Sequence, residues 1–400
     1  MANVSSSNGI EKYPKLRFQG FTIPWTEIEI GKAFQVTRGY VLPATVVRQD
    51  ASEEYIYPVY SSQTKDNGLM GYYNDYLYEN AITWTTDGAN AGTVHYRSGK
   101  FYCTNVCGVL LSDEGNANRC VAEILGSVSK KYVSYVGNPK LMNNVMSEIK
   151  IYVPTIAEQK KIDDFISVID HRIEKQHELI EYLKKYKRGV IQAVFDDEKR
   201  ELFGEISSGK RVKLSDLMDF QNGINADASK YGRGIRYISV SDILKNNFIT
   251  YDKIIGQVDI DSRALATYSV TYGDVLFQRS SETREDAGRS NVYLDTEKTA
   301  SFGGFVIRGK KRSDYDPLYL KYALDSFVVR KQIMQCAAGA QHINVSQEDL
   351  CNVVVNLPTI DVQNRISKLI SDIDLRITIE EKKANAQVTL KKALLQQLFI

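Results

Sequence analysis

Two stretches of this 400-residue chain repeat one another at a fixed offset, and that repeat limits the folds open to it more than any other feature. Pro154-Thr155-Ile156 recurs as Pro358-Thr359-Ile360, 204 positions further on. Without a gap, the same offset pairs Gln159 with Gln363, Ile162 with Ile366 and Ile166-Ser167 with Ile370-Ser371. It continues through Ile169-Asp170 with Ile373-Asp374 and Arg172-Ile173 with Arg376-Ile377, and reaches Lys187, Gln192 and Phe195 against Lys391, Gln396 and Phe399. About a third of the paired positions are identical, which points to duplication.

Each copy reads as one long helix. Residues 155–195 and 359–400 contain no proline, and each stretch follows a Pro-Thr pair that closes a strand-like run, IKIYV or NVVVNL. Thr155 with Glu158 spells a capping box; in the second copy Val362 replaces the glutamate, leaving Thr359 as cap and Asp361 to complement the helix dipole. Positions 162, 166, 169, 173, 176, 180, 183, 187, 190 and 194 alternate steps of four and three, the spacing of a coiled-coil seam. The seam is led by Ile162, Ile166, Ile169 and Ile173, and by Ile366, Ile370, Ile373 and Ile377 in the second copy. Polar breaks fall at matching places, Gln176 with Glu380 and Lys187 with Lys391, as expected of residues that fix register. The spacing predicts that the two rods pair, antiparallel, in a pseudo-two-fold molecule; a solvated helix packed on its own domain is the plainer alternative.

Between the rods lie two blocks of nearly equal length, giving four segments: 1–153, 154–200, 201–357 and 358–400. Both blocks are rich in short strand-like runs broken by Gly, Asn and Asp, such as AITWTT and GDVLFQR, with fewer helical stretches such as 317–335. The predicted class is mixed α/β (α+β): two β-rich domains separated by two long helices. A weak echo links Ile30-Gly31-Lys32 and Gly39 to Leu214-Ser215-Asp216 and Gly223. Five scattered cysteines fit a reducing compartment, and no run approaches the ~20 apolar residues of a membrane span, so the chain reads as soluble and cytoplasmic.

No catalytic or metal constellation emerges. The four histidines form no H-E-x-x-H, and Cys103 and Cys107 lack a second ligand pair at zinc spacing, so they read as small hydrophobes in a strand. Gly204 to Lys210 spells most of a phosphate-binding loop, but Arg211 stands where the magnesium-binding hydroxyl belongs. These absences argue for a binding protein. The blocks are neutral, with 14 basic against 14 acidic residues and 20 against 20, so non-specific nucleic-acid binding is not favoured by charge. Local chemistry points the other way: Arg279, Arg284 and Arg289 share one Gly/Ser-rich loop, Arg308-Lys310-Lys311-Arg312 form a basic cluster, and other loops mix Ser, Thr, Asn and Gln. These types hydrogen-bond phosphates and base edges. On the residues alone, loops of a carbohydrate- or protein-binding domain stand level with DNA.

The whole chain resembles the specificity subunit of type I restriction–modification systems. Pro154 to Ile162 is similar to that family's P-x-x-x-E-Q-x-x-I motif, and Pro358 to Ile366 keeps Pro, Gln and Ile. PKLRFQGFTIPW followed by IGKAF looks like the start of a first target recognition domain; Tyr60-Ser61-Ser62 with Asn67-Gly68, Tyr237-Ile238-Ser239-Val240 and Gly273-Asp274-Val275-Leu276 are further family-like pieces. The resemblance implies a non-catalytic chain whose heads each read one half of a bipartite DNA site, with the paired helices as a ruler. It also implies two methylation (M) subunits and motor–nuclease (R) subunits as partners, which would carry S-adenosylmethionine, ATP and magnesium; this chain would hold no cofactor. Loop position and side-chain chemistry then select DNA contacts. They are Ser61, Ser62, Gln63, Lys65, Thr85, Thr86, Asn90 and Arg97 in the first head, and Gln278, Arg279, Arg284, Arg289, Gln341, His342 and Asn344 in the second. A protein-binding coiled-coil adaptor and the specificity subunit of a type IIB-like enzyme are the alternatives.

Overall fold

A computed structural model of the chain describes Ala2–Asn3 and residues 13–62, 65–196, 209–339 and 341–399. The Gly-Lys loop at 204–210 falls largely outside the described residues. Among those described, no helix is long and apolar enough to cross a membrane. The contacts divide the chain into two compact units, residues 1–177 with 383–400, and residues 178–382, so each long helix contributes to both units.

In the first unit the chain runs through β1 (Thr26–Glu29), β2 (Gln35–Arg38), β3 (Tyr57–Tyr60), β4 (Leu69–Tyr73), β5 (Tyr78–Thr85), β6 (Val94–Cys103) and β7 (Cys107–Leu111). Then come α1 (Arg119–Val128), β8 (Lys150–Val153) and the long α2 (Ile156–Phe195). Six strands form one open sheet in the order β2-β7-β5-β6-β3-β4, antiparallel except where β3 runs parallel to β6. Its apolar side packs on α1, where Asn118 caps the first turn by accepting from the Val121 amide at 3.0 Å. Strands β1 and β8 pair separately and bring the chain back to the root of α2.

The second unit repeats this plan with β9 (Lys210–Lys213), β10 (Met218–Asn222), β11 (Tyr231–Ile238), β12 (Gln257–Val258), β13 (Val275–Gln278), β14 (Ser290–Val292), β15 (Ser301–Phe302) and β16 (Val306–Lys311). They are followed by α3 (Pro317–Asp325), α4 (Phe327–Cys336), β17 (Val354–Leu357) and the long α5 (Ile360–Leu398). Its sheets read β10-β16-β13-β14 and β12-β11-β15, with β11 parallel to β15. Where the first unit has the single strand β6, the second has two pieces, so one sheet becomes two. The helical run predicted over 317–335 is also broken. Ser326 is extended (φ −67°, ψ 150°) and its hydroxyl donates to the Ala323 carbonyl at 2.6 Å, which ends α3 and starts α4.

The faint echo between the heads has a physical basis. The Ile30 amide donates to Ile149 O at 2.9 Å, as Leu214 donates to Val353 O at 2.9 Å, and Gly39 donates to Cys107 O as Gly223 does to Val306 O. A Cβ at Gly39 would strike the Cys103 and Thr104 carbonyls, and one at Gly223 the Gly303 and Phe302 carbonyls, so both positions require glycine.

The seam pattern is realised inside each unit. All twenty seam positions are buried or half-buried, and none is exposed. In the first unit Ile162 and Ile166 join the core of the head, with Leu395 and Phe399 of α5 packed against it. In the second, Ile366 and Ile370 pack with Ile191, Val194 and Phe195 of α2. Ile377 is buried, while Ile169, Ile173 and Ile373 are half-buried. The segments run antiparallel in each unit. Lys391 reaches Asp170 at 2.8 Å and Glu123 at 2.9 Å, and the equivalent Lys187 reaches Asp374 at 2.6 Å. Of the two polar breaks, the one at Lys187 and Lys391 is therefore an ion pair duplicated with the helices.

One predicted local detail differs. Glu158 does not bond back to Thr155 to complete a capping box. Thr155 Oγ1 accepts from the Glu158 amide at 3.4 Å, but the carboxylate, fully buried, takes bonds from Arg17 Nε and Nη2 at 2.7 Å each. A buried carboxylate is stable only against a fixed opposite charge, which Arg17 in the LRF segment supplies. At the second root, Val362 packs on apolar neighbours instead.

Two predictions follow from this packing. Lys391→Ala leaves Glu123 without its cation and Asp170 with only the longer contact to Arg119 at 3.4 Å, and is expected to cost roughly 1–3 kcal/mol, read as a lower urea midpoint; Lys391→Met with Asp170→Asn recovers part of it. Ile166→Asp places a charge in the core and is expected to remove soluble folded protein, whereas Val168→Asp, two residues on and on the exposed face of the same helix, leaves the circular dichroism unchanged.

Candidate nucleic-acid interface

In the first head Ser61, Ser62, Thr85, Thr86, Asn90 and Arg97 converge where β3 and β5 end. Gln63 lies outside the described residues, as does the side chain of Lys65. Asn90 Nδ2 donates to Ser62 O at 3.2 Å, and the Ser61 hydroxyl accepts from Thr104 at 3.0 Å, so the two loops are tied together. Thr86 is fully buried, its hydroxyl bonded to Asp87 and the Val106 carbonyl. Arg97 is only 7% exposed; it donates to Thr83 Oγ1 at 3.1 Å and Asn67 O at 2.8 Å, and its guanidinium lies 3.7 Å from the centre of the Tyr60 ring. Both residues therefore hold the loops from inside rather than facing outward.

Arg97 also shapes its surroundings electrostatically. Burial lowers its own pKa, and burial, then Arg97 and Lys391, push the neighbouring His95 down to about 4, so His95 is neutral at physiological pH. Burial pushes the Cys103 and Cys107 thiols up, Cys107 to about 11, which fits the reading of both as inert hydrophobes. Among the described residues no group of His, Cys, Asp and Glu could hold a metal ion.

The second head brings Gln278, Arg279, His342 and Asn344 together. Ser280-Ser281 pairs antiparallel with Ile343-Asn344, and the Val345 amide donates to Arg279 O at 3.0 Å. Gln278 and His342 border a groove of about 740 Å³ with Tyr237, Ser280, Thr283 and Phe305. Gln278 is 5% exposed; its amide nitrogen donates to Ser280 O, and its Oε1 has no partner. Gln341 is exposed beside His342. Arg284 and Arg289 go elsewhere. Arg284 donates to Met334 O at 3.3 Å and Arg289 to Asp286 at 2.8 Å, and Arg289 borders a separate cleft of about 610 Å³ against Lys184 and Arg188 of α2.

The two clusters are the same place on the same framework. Thr85 N donates to Thr93 O and Gly92 N to Thr85 O; likewise Gln278 N donates to Arg289 O and Gly288 N to Gln278 O. Gly92 (φ +79°) and Gly288 (φ +63°) make the same left-handed turn after buried Ala91 and Ala287. Thr86 N bonds Val106 O as Arg279 N bonds Phe305 O, each at 2.9 Å. Thr85-Thr86 and Gln278-Arg279 are thus equivalent positions with different side chains. The sequence reading missed the partner turn, 104–106 and 303–305, because those residues read as parts of strands; the adjacent glycines at 303 and 304 were the available signal.

Fold and site together define a duplicated binding protein: one head built twice, each rooted on a paired helix segment, with different side chains on a shared set of turns. The family model described as type I restriction modification DNA specificity domain matches residues 22–185 and again 208–390. The putative type I specificity subunit S.MpnORF285P of Mycoplasma pneumoniae is 34% identical over 154 residues, 38% of this chain, and the match spans about half (49%) of that relative's length. The type I restriction enzyme MjaVIII specificity subunit of Methanocaldococcus jannaschii is 22% identical over 405 residues, covering 95% of this chain and 93% of that one. The crystal structure of an S subunit from M. genitalium shares the fold, with a TM-score of 0.59 at 16% identity over 97% of this chain and 99% of that chain. The chain belongs to the family of type I restriction–modification DNA specificity subunits.

The state of His95 gives a pH test. An unfolded chain binds a proton near the ordinary value of 6.5, whereas the folded head resists it until about 4. Stability therefore falls as pH drops through that window, by up to about 1.4 kcal/mol per unit. His95→Gln is expected to flatten the acid limb of a denaturation-midpoint profile between pH 6.5 and 4.

Proposed function

We propose that this chain is the non-catalytic address subunit of a type I system, each head reading one half of a bipartite DNA site and directing methylation (M) and motor–nuclease (R) subunits to it. The carrying observation is that equivalent turns bear Thr85-Thr86 in one head and Gln278-Arg279 in the other: one framework, two sets of hydrogen-bonding side chains. Discrimination between bases rests on donor and acceptor patterns at fixed positions, which such a framework supplies. The double match of the specificity-domain model supports one reader per head. A related structure is described in terms of complex assembly of a type I system, which supports assembly with partner subunits here. S-adenosylmethionine, ATP and magnesium belong to those partners in this reading. Heads on successive major grooves need centres about 34 Å apart or a multiple of it, and the paired helices are the spacing element.

The test is a genome-wide map of N6-methyladenine in cells carrying the methylation subunits with and without this chain. Two short specific sequences separated by a fixed unspecified gap are expected only with the chain present. Methylation that ignores sequence, or methylation subunits that do not retain the chain, would favour an adaptor. Within the site, Arg279→Ala is expected to cost about 1–3 kcal/mol of binding and to relax one base position in one half-site. Arg289→Ala, whose guanidinium is paired with Asp286, is expected to leave the recognised sequence intact.

A further inference from the structure

The turn at 303–305 is unusual in the second head because its main chain is fixed and its side chain is not covered. Gly303 N donates to Ile238 O at 3.0 Å, Gly304 N to Ile224 O at 2.8 Å and Val306 N to Gly303 O at 2.8 Å. The Phe305 carbonyl accepts from Arg279 N, and the Gly304 carbonyl from the Arg279 guanidinium at 3.3 Å. A Cβ at Gly303 would strike the Tyr237 hydroxyl and one at Gly304 the Asn225 side chain, so a larger residue at either place would have to displace a neighbouring side chain. Bonds from three neighbouring segments therefore hold the backbone, yet the Phe305 ring is 69% exposed. An exposed aromatic side chain on a rigid support is pre-organised for a contact, because little ordering cost remains to be met on binding.

Its surroundings say which contact. Gln278 and His342, groups suited to base edges, border the groove described above together with Phe305, and Arg279 is bonded to the carbonyls of the turn itself. At the equivalent turn of the first head, Asn105 is exposed and Val106 half-buried, so the same backbone offers a different, smaller apolar side chain there. Variation at one fixed tip next to hydrogen-bonding residues is what a specificity position requires, and the apolar feature of a base pair in the major groove is the thymine methyl. We infer that Phe305 is a specificity-determining residue of the second head and reads a thymine methyl in its half-site. This rests on the DNA-reading role proposed above, and it adds a contact that hydrogen-bond chemistry cannot make.

The experiment uses the complete methylation complex and duplexes carrying the mapped site, with each thymine of both half-sites replaced singly by deoxyuridine, which removes only the methyl group. With the wild-type chain, one position in one half-site is expected to weaken binding about fourfold, the value of one buried methyl. With Phe305→Ala, binding to the thymine site falls about tenfold and the penalty at that position vanishes, while sensitivities in the other half-site persist. Phe305→Leu, which keeps apolar volume on the same backbone, restores part of the methyl preference. The inference is overturned if no thymine methyl loses its effect in Phe305→Ala. It is also overturned if that variant fails to assemble with the methylation subunits, which would make the turn a protein interface. If the wild-type complex binds all duplexes alike, the DNA-reading role itself fails, an outcome distinct from either.

Discussion

One buried glutamine in each copy joins rod to head, and the arrangement of both units depends on it. Gln159 Nε2 donates to Pro154 O at 2.9 Å and to Asn116 Oδ1 at 3.2 Å, while its Oε1 accepts from Asn118 Nδ2 at 2.7 Å. Gln363 Nε2 donates to Pro358 O at 2.8 Å, and its Oε1 accepts from the Asp316 amide at 2.9 Å. Asn118 and Asp316 are the caps of α1 and α3, the helices that cover the sheets. A single amide therefore links the first turn of a long helix to the first turn of the head's own helix. The amide uses donor and acceptor at once in both copies, so rotating or sliding the helix would leave buried polar groups without their partners. Glutamate or leucine at that position would keep the helix but lose the link.

From that anchor the seam can hold register. The duplicated pairs Asp170–Lys391 and Lys187–Asp374 lie in separate units, and each is only partly exposed. In the second unit the Tyr322 hydroxyl also donates to Asp374 at 3.0 Å. Such pairs add little net stability over apolar packing, because desolvation offsets most of their attraction. Their value is selective: a one-turn slip would bury lysine against isoleucine, a far larger penalty than the pair's own gain.

The helices were legible in the sequence because their information is periodic. Step lengths of three and four, a missing proline and a Pro-Thr start each constrain many residues at once, so the seam emerges without knowledge of the heads. The heads resisted for the opposite reason. Their framework is made largely by main-chain bonds, as from Ile30 to Ile149 and Leu214 to Val353, which any side chain allows. Loop composition picked out residues that the fold brings together, Ser61 with Thr85 in one head and Gln278 with His342 in the other. It could not tell an outward arginine from an inward one. Arg97 lies in a strand whose alternation points it at Tyr60, and Arg289 meets Asp286 three residues back, a pairing visible only once the turn closes. Phe305 escaped because an exposed aromatic and a core aromatic look alike in a run such as FGGFVIR.

Charge completes the physical picture. Counterion release from phosphates drives most protein–DNA affinity and carries no sequence information. With both heads neutral and a net charge of +2 over 400 residues, this chain is poorly supplied for that term. In the role proposed for it, weak intrinsic attraction is an advantage. A reader that gripped every phosphate would dwell on non-specific DNA, and its discrimination would be spent against a large constant background. Separating attraction from discrimination requires that most of the backbone contact be supplied by another subunit. The heads are then left to contribute differences between sequences, which a rigid main-chain framework with interchangeable side chains is suited to do.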